Sequence, residues 1–289
     1  MKNAISVLAN NMDYFRLMCN NFPDDISDYA VVVFTETRIG DKTEELKQIL
    51  RESKADKFKV IPSDVVIDKF KADIIDNTFV DEYTMGMNIL MLWYLLRYSK
   101  FEKILLLDDD VIIGNGLGEL FATKHSLLMP FRLSAGPSDM DKLSQNGKKL
   151  FQEWFDIFGE EFNQENYKNL YIDRYMNSGQ RLIARDDISL EYYQTMLRRF
   201  FDSKIFHEFW DNRKSHVSFF FDERFEVFAF NKLYNDGMKP FAFLLVSKFE
   251  KITENDLKRI SKATIFHNIT RSHKDRVYRL LVEKGIING

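Results

Sequence analysis

The chain has 289 residues, of which 45% are hydrophobic and 29% charged, with a net charge of −3. That balance is ordinary for a globular protein and gives no overall electrostatic pull towards nucleic acid, although it leaves room for a local basic face. One cysteine, Cys19, excludes an internal disulfide, and no apolar run reaches membrane-spanning length.

The opening MKNAISVLANNMDYF holds too short an apolar run for a signal peptide, so a cytoplasmic protein is expected. Within it AISVLA predicts a strand, followed by polar Asn10 and Asn11 and a helix from about Asp13. Cys19 on that helix is expected to be a small buried hydrophobe. Tyr29–Glu36 (YAVVVFTE) predicts a second buried strand, and TEELKQILRES after it has helical periodicity. FKVIPS predicts a third strand, stopped by Pro62 and Ser63. GMNILMLWYLLRYSK is apolar nearly all round and predicts a buried helix. Strands alternating with helices imply a mostly parallel α/β sheet with a crevice at its strand ends. The second half is less regular: LLMPFRL, RYMNSGQRLIAR and KPFAFLLV predict strands, and EYYQTMLRRFFDS and TENDLKRISKA helices. Thr253 and Asp256 have the spacing of a helix-capping pair. Five prolines, no repeat and no low-complexity linker favour a single domain over 1–289. Its core should be dense in aromatics, with 27 phenylalanines to place.

The most informative stretch is KILLLDDDVIIGNG. Ile104 to Leu107 form an apolar run that leads straight into Asp108, Asp109 and Asp110. Like charges packed this closely repel, and partial burial adds to the cost of ionisation. A divalent cation offsets such a cost where all the ligands are oxygens. The aliphatic flanks place the triplet at an internal strand end, where open α/β sheets hold ligands.

This strand with its LLLDDD ending, a later NSG, and a late histidine with cations beyond it resemble a GT-A glycosyltransferase. The resemblance is to the family-eight retaining enzymes, the glycogenin and galactinol synthase type. It covers most of the chain in the order of elements, with its sharp matches confined to four short motifs. It implies a GT-A, Rossmann-like mostly parallel sheet with flanking helices, a nucleotide-sugar-binding half over 1–115 and an irregular acceptor-side half over 116–289. The implied reaction moves a sugar from a nucleotide-diphosphate donor, a UDP-sugar, to a hydroxyl acceptor with retention of configuration. Mn²⁺ or Mg²⁺ would stabilise the departing diphosphate. Asp110 is the first choice for a direct metal ligand; Asp108 would ligate the metal or bond the donor ribose. Asp109 would orient its neighbours or face the donor sugar. The resemblance makes His267 the third ligand through a neutral ring nitrogen. A lysine that contacts the diphosphate follows about six residues on in the family. Here Lys274 lies seven residues on and the usual Lys-Pro-Trp ending is missing, so Lys274 and Arg271 both remain candidates, with His273 weaker.

Asn177 in the NSG turn would donate to a sugar hydroxyl beside Gly179, or the turn is an ordinary strand entry. Asp222 and Glu223, set among phenylalanines, are candidates for acid–base work or acceptor binding, or a solvated pair beside Arg224. Asn10, Asn11 and Tyr14 follow the first strand, where the family binds the nucleotide base. Tyr14 would stack on that base or simply pack its helix. Arg97 would reach the diphosphate or pair with a carboxylate. The acceptor is open between a glycan, a protein side chain and a modified DNA base. Aromatic and basic residues in EYYQTMLRRFF and FHEFWDNRKSH offer it a surface, or are core aromatics with a solvated basic face.

Other readings of the triplet are a phosphatase, a nucleotidyltransferase, and a nucleotide- or carbohydrate-binding module without turnover. A haloacid-dehalogenase-type phosphatase needs a threonine where Ile112 stands. No glycine-rich phosphate loop follows the first strand to support the nucleotidyltransferase. An EF-hand loop needs an oxygen ligand at Ile112 and fails.

Overall fold

The computed structural model describes residues 1–36, 40–74, 87–131, 156, 158, 175–176, 179–203, 225–226, 228–233, 241–245, 249–269 and 273–289. Among them, strands and helices alternate through the first half. β1 (Asn3–Ala9) leads to α1 (Met12–Asn20), β2 (Ala30–Thr35) to α2 (Thr43–Glu52), and β3 (Phe58–Ile61) to α3 (Ser63–Asp73). Helix α4 (Met87–Tyr98) then feeds β4 (Lys103–Asp108), with β5 (Val111–Ile113) and α5 (Leu117–Ala122) following. The later elements are β6 (Pro130–Phe131), β7 (Tyr175–Met176), β8 (Gln180–Ala184), α6 (Leu190–Phe201), β9 (Phe243–Leu245), α7 (Glu254–Ile260), β10 (Ile265–Asn268) and α8 (Lys274–Glu283).

The main sheet has the order β3-β2-β1-β4-β8. The first four strands are parallel, and β8 runs antiparallel along β4. Its central strands are buried on both faces, with every residue from Ala4 to Ala9 enclosed. That explains the unbroken apolar runs, because helices cover both sides of a parallel sheet. On one face Val32, Phe34, Ile104, Leu106 and Ile183 pack with the inner sides of α3, α4 and α6. On the other, Ile5, Val7, Val31, Val33, Leu105 and Leu107 meet α1, α2 and α5. Aromatic residues dominate the first layer, as the composition leads one to expect: Phe70 stands edge-on to Trp93 at 5.1 Å, and Tyr193 stacks on Phe230. Cys19 is buried in the second layer.

Helix α4 is enclosed along nearly all its length, and Arg185 fastens its end. The Arg185 guanidinium donates to the carbonyls of Leu95, Leu96, Ser99 and Phe101, satisfying acceptors that a helix C-terminus leaves open. At α7 the expected capping pair forms, with Thr253 and Asp256 bonding reciprocally. β3 ends before Pro62 and Ser63 as expected, and Ser63 then opens α3, a helix the sequence reading did not foresee.

The strand order reverses at β1: the chain moves outward through β2 and β3, then returns to lay β4 on the other side. The C-terminal ends of β1 and β4, with Leu8 paired to Asp108, therefore flank a topological switch point, where α/β sheets hold ligands. A second sheet, β5-β10-β9, springs from the same place. β5 begins directly after the aspartates and pairs antiparallel with β10, setting Val111 opposite His267. Helices α7 and α8 back this sheet through Ile112, Leu257, Phe266, Val277 and Leu281. Close approach of the two strands depends on Gly114. Its N–H donates to the Thr264 carbonyl at 2.8 Å, and a Cβ there would collide with the Ala263 carbonyl oxygen. None of the helices in the described residues is long and apolar enough to cross a membrane.

Candidate metal and donor site

Two segments distant in sequence converge at the switch point. The β4 end supplies Asp108 and Asp110, and the β5–β10 register brings in His267. Ligand atoms of these three residues lie within 4.8 Å of one another. Nε2 of His267 is 3.0 Å from Oδ1 of Asp110. The two form an ion pair only when the ring is protonated, and Oδ1 is buried with no hydrogen-bond partner. Two neighbouring ligands on an octahedral cation with bonds of about 2.1 Å stand about 3 Å apart, so this orphaned oxygen and the ring nitrogen suit a shared divalent ion. The donor set of two carboxylates and one imidazole suits a divalent cation.

Helix α8 completes the site. Lys274 at its start places Nζ on Oδ2 of Asp110, and one turn later the Tyr278 hydroxyl donates to the Asp110 carbonyl. Burial opposes ionisation of Asp110, yet His267 and Lys274 outweigh it and hold its carboxyl well below the usual carboxylate range. Burial pushes the Tyr278 phenol up, so it remains a donor.

Asp109 points elsewhere. Only 1% exposed, its Oδ2 accepts the backbone N–H groups of Asn10 and Asn11, both at 2.6 Å. Burial and then the charge of Asp110 push its carboxyl up, against the pull of those two donors. Of the two sequence readings for Asp109, this contact matches the one in which it orients its neighbours. It pins the β1–α1 loop against the triplet.

The Asn11 side chain caps α1 by accepting from the N–H groups of Asp13 and Tyr14, while Asn10 is exposed at the mouth of the site. Tyr14 is half-buried, with its hydroxyl donating to Asp275 at 2.6 Å and Lys274 Nζ 5.5 Å from its ring centre. It packs against Tyr278, which is the helix-packing alternative, and it borders the metal cluster through Lys274. Arg97 is not brought to the site. It pairs with Asp73 at 3.2 Å near the start of β4, the opposite end of the strand from the aspartates. Asn177, Asp222, Glu223 and Arg271 lie outside the described residues, as does FHEFWDNRKSH. The other aromatic–basic stretch is α6, whose Tyr193, Phe200 and Phe201 face the core while Arg198 is exposed.

Sequence reasoning missed Gln180 and Tyr278. Gln180, on β8, reaches the far ring nitrogen of His267; its signal is a polar residue beginning an apolar strand. Tyr278 has the signal of standing four residues after Lys274, on the same helix face.

No family model and no curated protein matches this chain. Solved structures do. The apo structure of the bifunctional glycosyltransferase WbbM aligns at a TM-score of 0.54 with 12% identity, covering 98% of this chain and 50% of WbbM. The chain thus spans half the length of that protein. Mouse xyloside xylosyltransferase 1 aligns at 0.49 with 13% identity, covering 93% of this chain and 98% of that one. The galactosyltransferase LgtC, solved with donor and acceptor sugar analogues, aligns at 0.43 with 14% identity, covering 99% and 96%. At 12% identity the WbbM likeness speaks to the fold alone: a mixed α/β GT-A architecture with a mostly parallel central sheet.

Proposed function

We propose that the protein is a metal-dependent glycosyltransferase that moves a sugar from a nucleotide-diphosphate donor to a hydroxyl acceptor. The observation that carries the proposal is the convergence of Asp108, Asp110 and His267 at the switch point of a glycosyltransferase-like fold, with a buried, unpartnered carboxylate oxygen facing the ring nitrogen. A divalent cation held by these three residues supplies positive charge where the departing diphosphate gathers negative charge.

The chain's own groups divide the remaining work. Asp109 fixes the Asn10–Asn11 loop, leaving Asn10 exposed beside the strand end for the nucleoside. Lys274 lies on Asp110, where its ammonium is suited to bond a phosphate oxygen once a donor arrives. Tyr278 ties α8 to the backbone of Asp110, so the lysine and the carboxylate stay in register. The resemblance to family-eight enzymes supports a UDP-sugar, Mn²⁺ or Mg²⁺, and retention of configuration. On that reading residues 1–115 form the donor half, completed by β10 and α8. Asn177, Asp222 and Glu223 belong to the acceptor side, whose substrate is a glycan, a protein or a modified base.

The test is incubation with a panel of nucleotide sugars and Mn²⁺, with mass detection of released nucleoside diphosphate. Release that requires metal and is lost in Asp110→Asn supports the proposal. Inorganic phosphate released from simple phosphomonoesters would point instead to a phosphatase, and nucleotide binding without any turnover to a binding module.

A further inference from the structure

Strand β8 sends successive side chains to opposite faces of the main sheet. Arg181 enters the aromatic layer and pairs with Glu226 at 2.9 Å, both side chains fully buried. Gln180, also enclosed, faces the other way and sets its carboxamide against Nδ1 of His267. That is the ring nitrogen opposite the one that faces Asp110. The amide Nε2 of Gln180 is the carboxamide atom set against Nδ1, and the ring tautomer decides which of the two donates. The carboxamide oxygen Oε1 is then buried without a hydrogen-bond partner.

A carboxamide offers donor and acceptor in nearly the same place, exchanged by a half-turn about its last side-chain bond. After that half-turn Oε1 accepts from Nδ1–H, and the orphaned oxygen gains its partner. The ring then carries an N–H on Nδ1 held by a fixed acceptor. The Nε2 lone pair is thereby freed towards Oδ1 of Asp110 and the neighbouring Asp108. A histidine that ligates a metal commonly donates its other N–H to a fixed acceptor, and losing that acceptor costs about 10–100-fold in metal affinity.

We propose that Gln180 is the positioning residue for His267, its carboxamide turning to accept Nδ1–H when Nε2 takes a divalent cation. The inference rests on the reading of Asp108, Asp110 and His267 as a cation site. A leucine at 180 would serve neither tautomer, and a glutamate only the metal-binding one.

Two measurements test it. Calorimetric titration with Mn²⁺ alone, without nucleotide, is run on the wild type, Gln180→Leu and Gln180→Glu, with thermal unfolding of each sample. Separately, ¹⁵N shifts of His267 in the wild type report its tautomer before and after loading with diamagnetic Mg²⁺. We expect Gln180→Leu to bind Mn²⁺ about 10–100-fold more weakly, Gln180→Glu to bind within a few-fold of wild type, and His267 in the Mg²⁺-loaded protein to carry its proton on Nδ1. A folded Gln180→Leu that binds Mn²⁺ as tightly as wild type overturns the inference and leaves the cation site standing. A Mg²⁺-loaded His267 protonated on Nε2 does the same, and it decides the matter if Gln180→Leu does not fold. A wild type that binds neither ion overturns the cation site itself.

Discussion

Replacing Lys274 with methionine keeps the length of the side chain and removes its charge. The ammonium lies on Oδ2 of Asp110 in a pair whose side chains are only 17% and 13% exposed, so solvent screens it weakly. A hydrogen bond between charged groups contributes about 1.5–3 kcal/mol net. At about 1.4 kcal/mol per tenfold, removal of this competing cation should raise Mn²⁺ affinity by about 10–100-fold in the absence of nucleotide. The same substitution takes a cation away from the diphosphate, so affinity for a nucleoside diphosphate at saturating Mn²⁺ should fall by a comparable factor. The opposite signs are the useful part, because a general loosening of the site would weaken both ligands. Calorimetric titrations with Mn²⁺ alone, then with UDP in excess Mn²⁺, read the two effects. A Lys274→Met protein that binds Mn²⁺ more weakly than wild type would refute the reasoning.

Asp109→Ala removes the acceptor of two loop N–H groups, each of which costs about 1–3 kcal/mol if left unsatisfied. Urea unfolding should show a clear loss of stability, with Asp109→Asn less affected; equal stability of Asp109→Ala and wild type would contradict the pinning role. Gly114→Ala should destabilise by about 1–3 kcal/mol through overpacking, since the added methyl meets the Ala263 carbonyl. It should also weaken Mn²⁺ binding by shifting β10 and His267, whereas Gly118→Ala, with open space around it, should be neutral in both measurements. Asp110 has a folded-state pKa below its unfolded value of about 3.9, so its contribution is present above that pH and lost as pH falls through the folded value. In metal-free protein, the stability gap between wild type and Asp110→Asn should therefore shrink as pH falls below the ordinary carboxylate range. A gap that widens as pH falls would reverse the sign argued here.

Local pattern carried the first half of the fold. An unbroken aliphatic run such as Ile104–Leu107 reads as a strand buried on both faces, and the helix before it shows solvent little but its last turn. The same reasoning found the aspartate cluster through its electrostatic cost. It could not distribute the three carboxylates, because Asp109 is defined by two backbone N–H groups about a hundred residues away. Arg97 takes the second of its two readings, pairing with a carboxylate, that of Asp73. It precedes the triplet closely in sequence, but a helix–loop–strand connection puts the two at opposite ends of a six-residue strand, about 20 Å apart along its axis. His267 was reached by resemblance, while its place beside Asp110 depends on the antiparallel β5–β10 register, which no local pattern specifies. Gln180 was passed over because a single polar residue at a strand start carries no periodic signal. Its role emerges only when β8 is laid against β4 and β10 is brought up beside it.

The central claim is that Asp108, Asp110 and His267 hold a divalent cation that receives the donor diphosphate. Crystals grown with Mn²⁺ and UDP test it most directly, through anomalous scattering at the manganese edge. The account predicts one strong peak bounded by the two carboxylates and Nε2 of His267, in contact with diphosphate oxygens, and with Lys274 moved from Asp110 to a phosphate. Manganese bound elsewhere, or a diphosphate seated away from the end of β4, would contradict it.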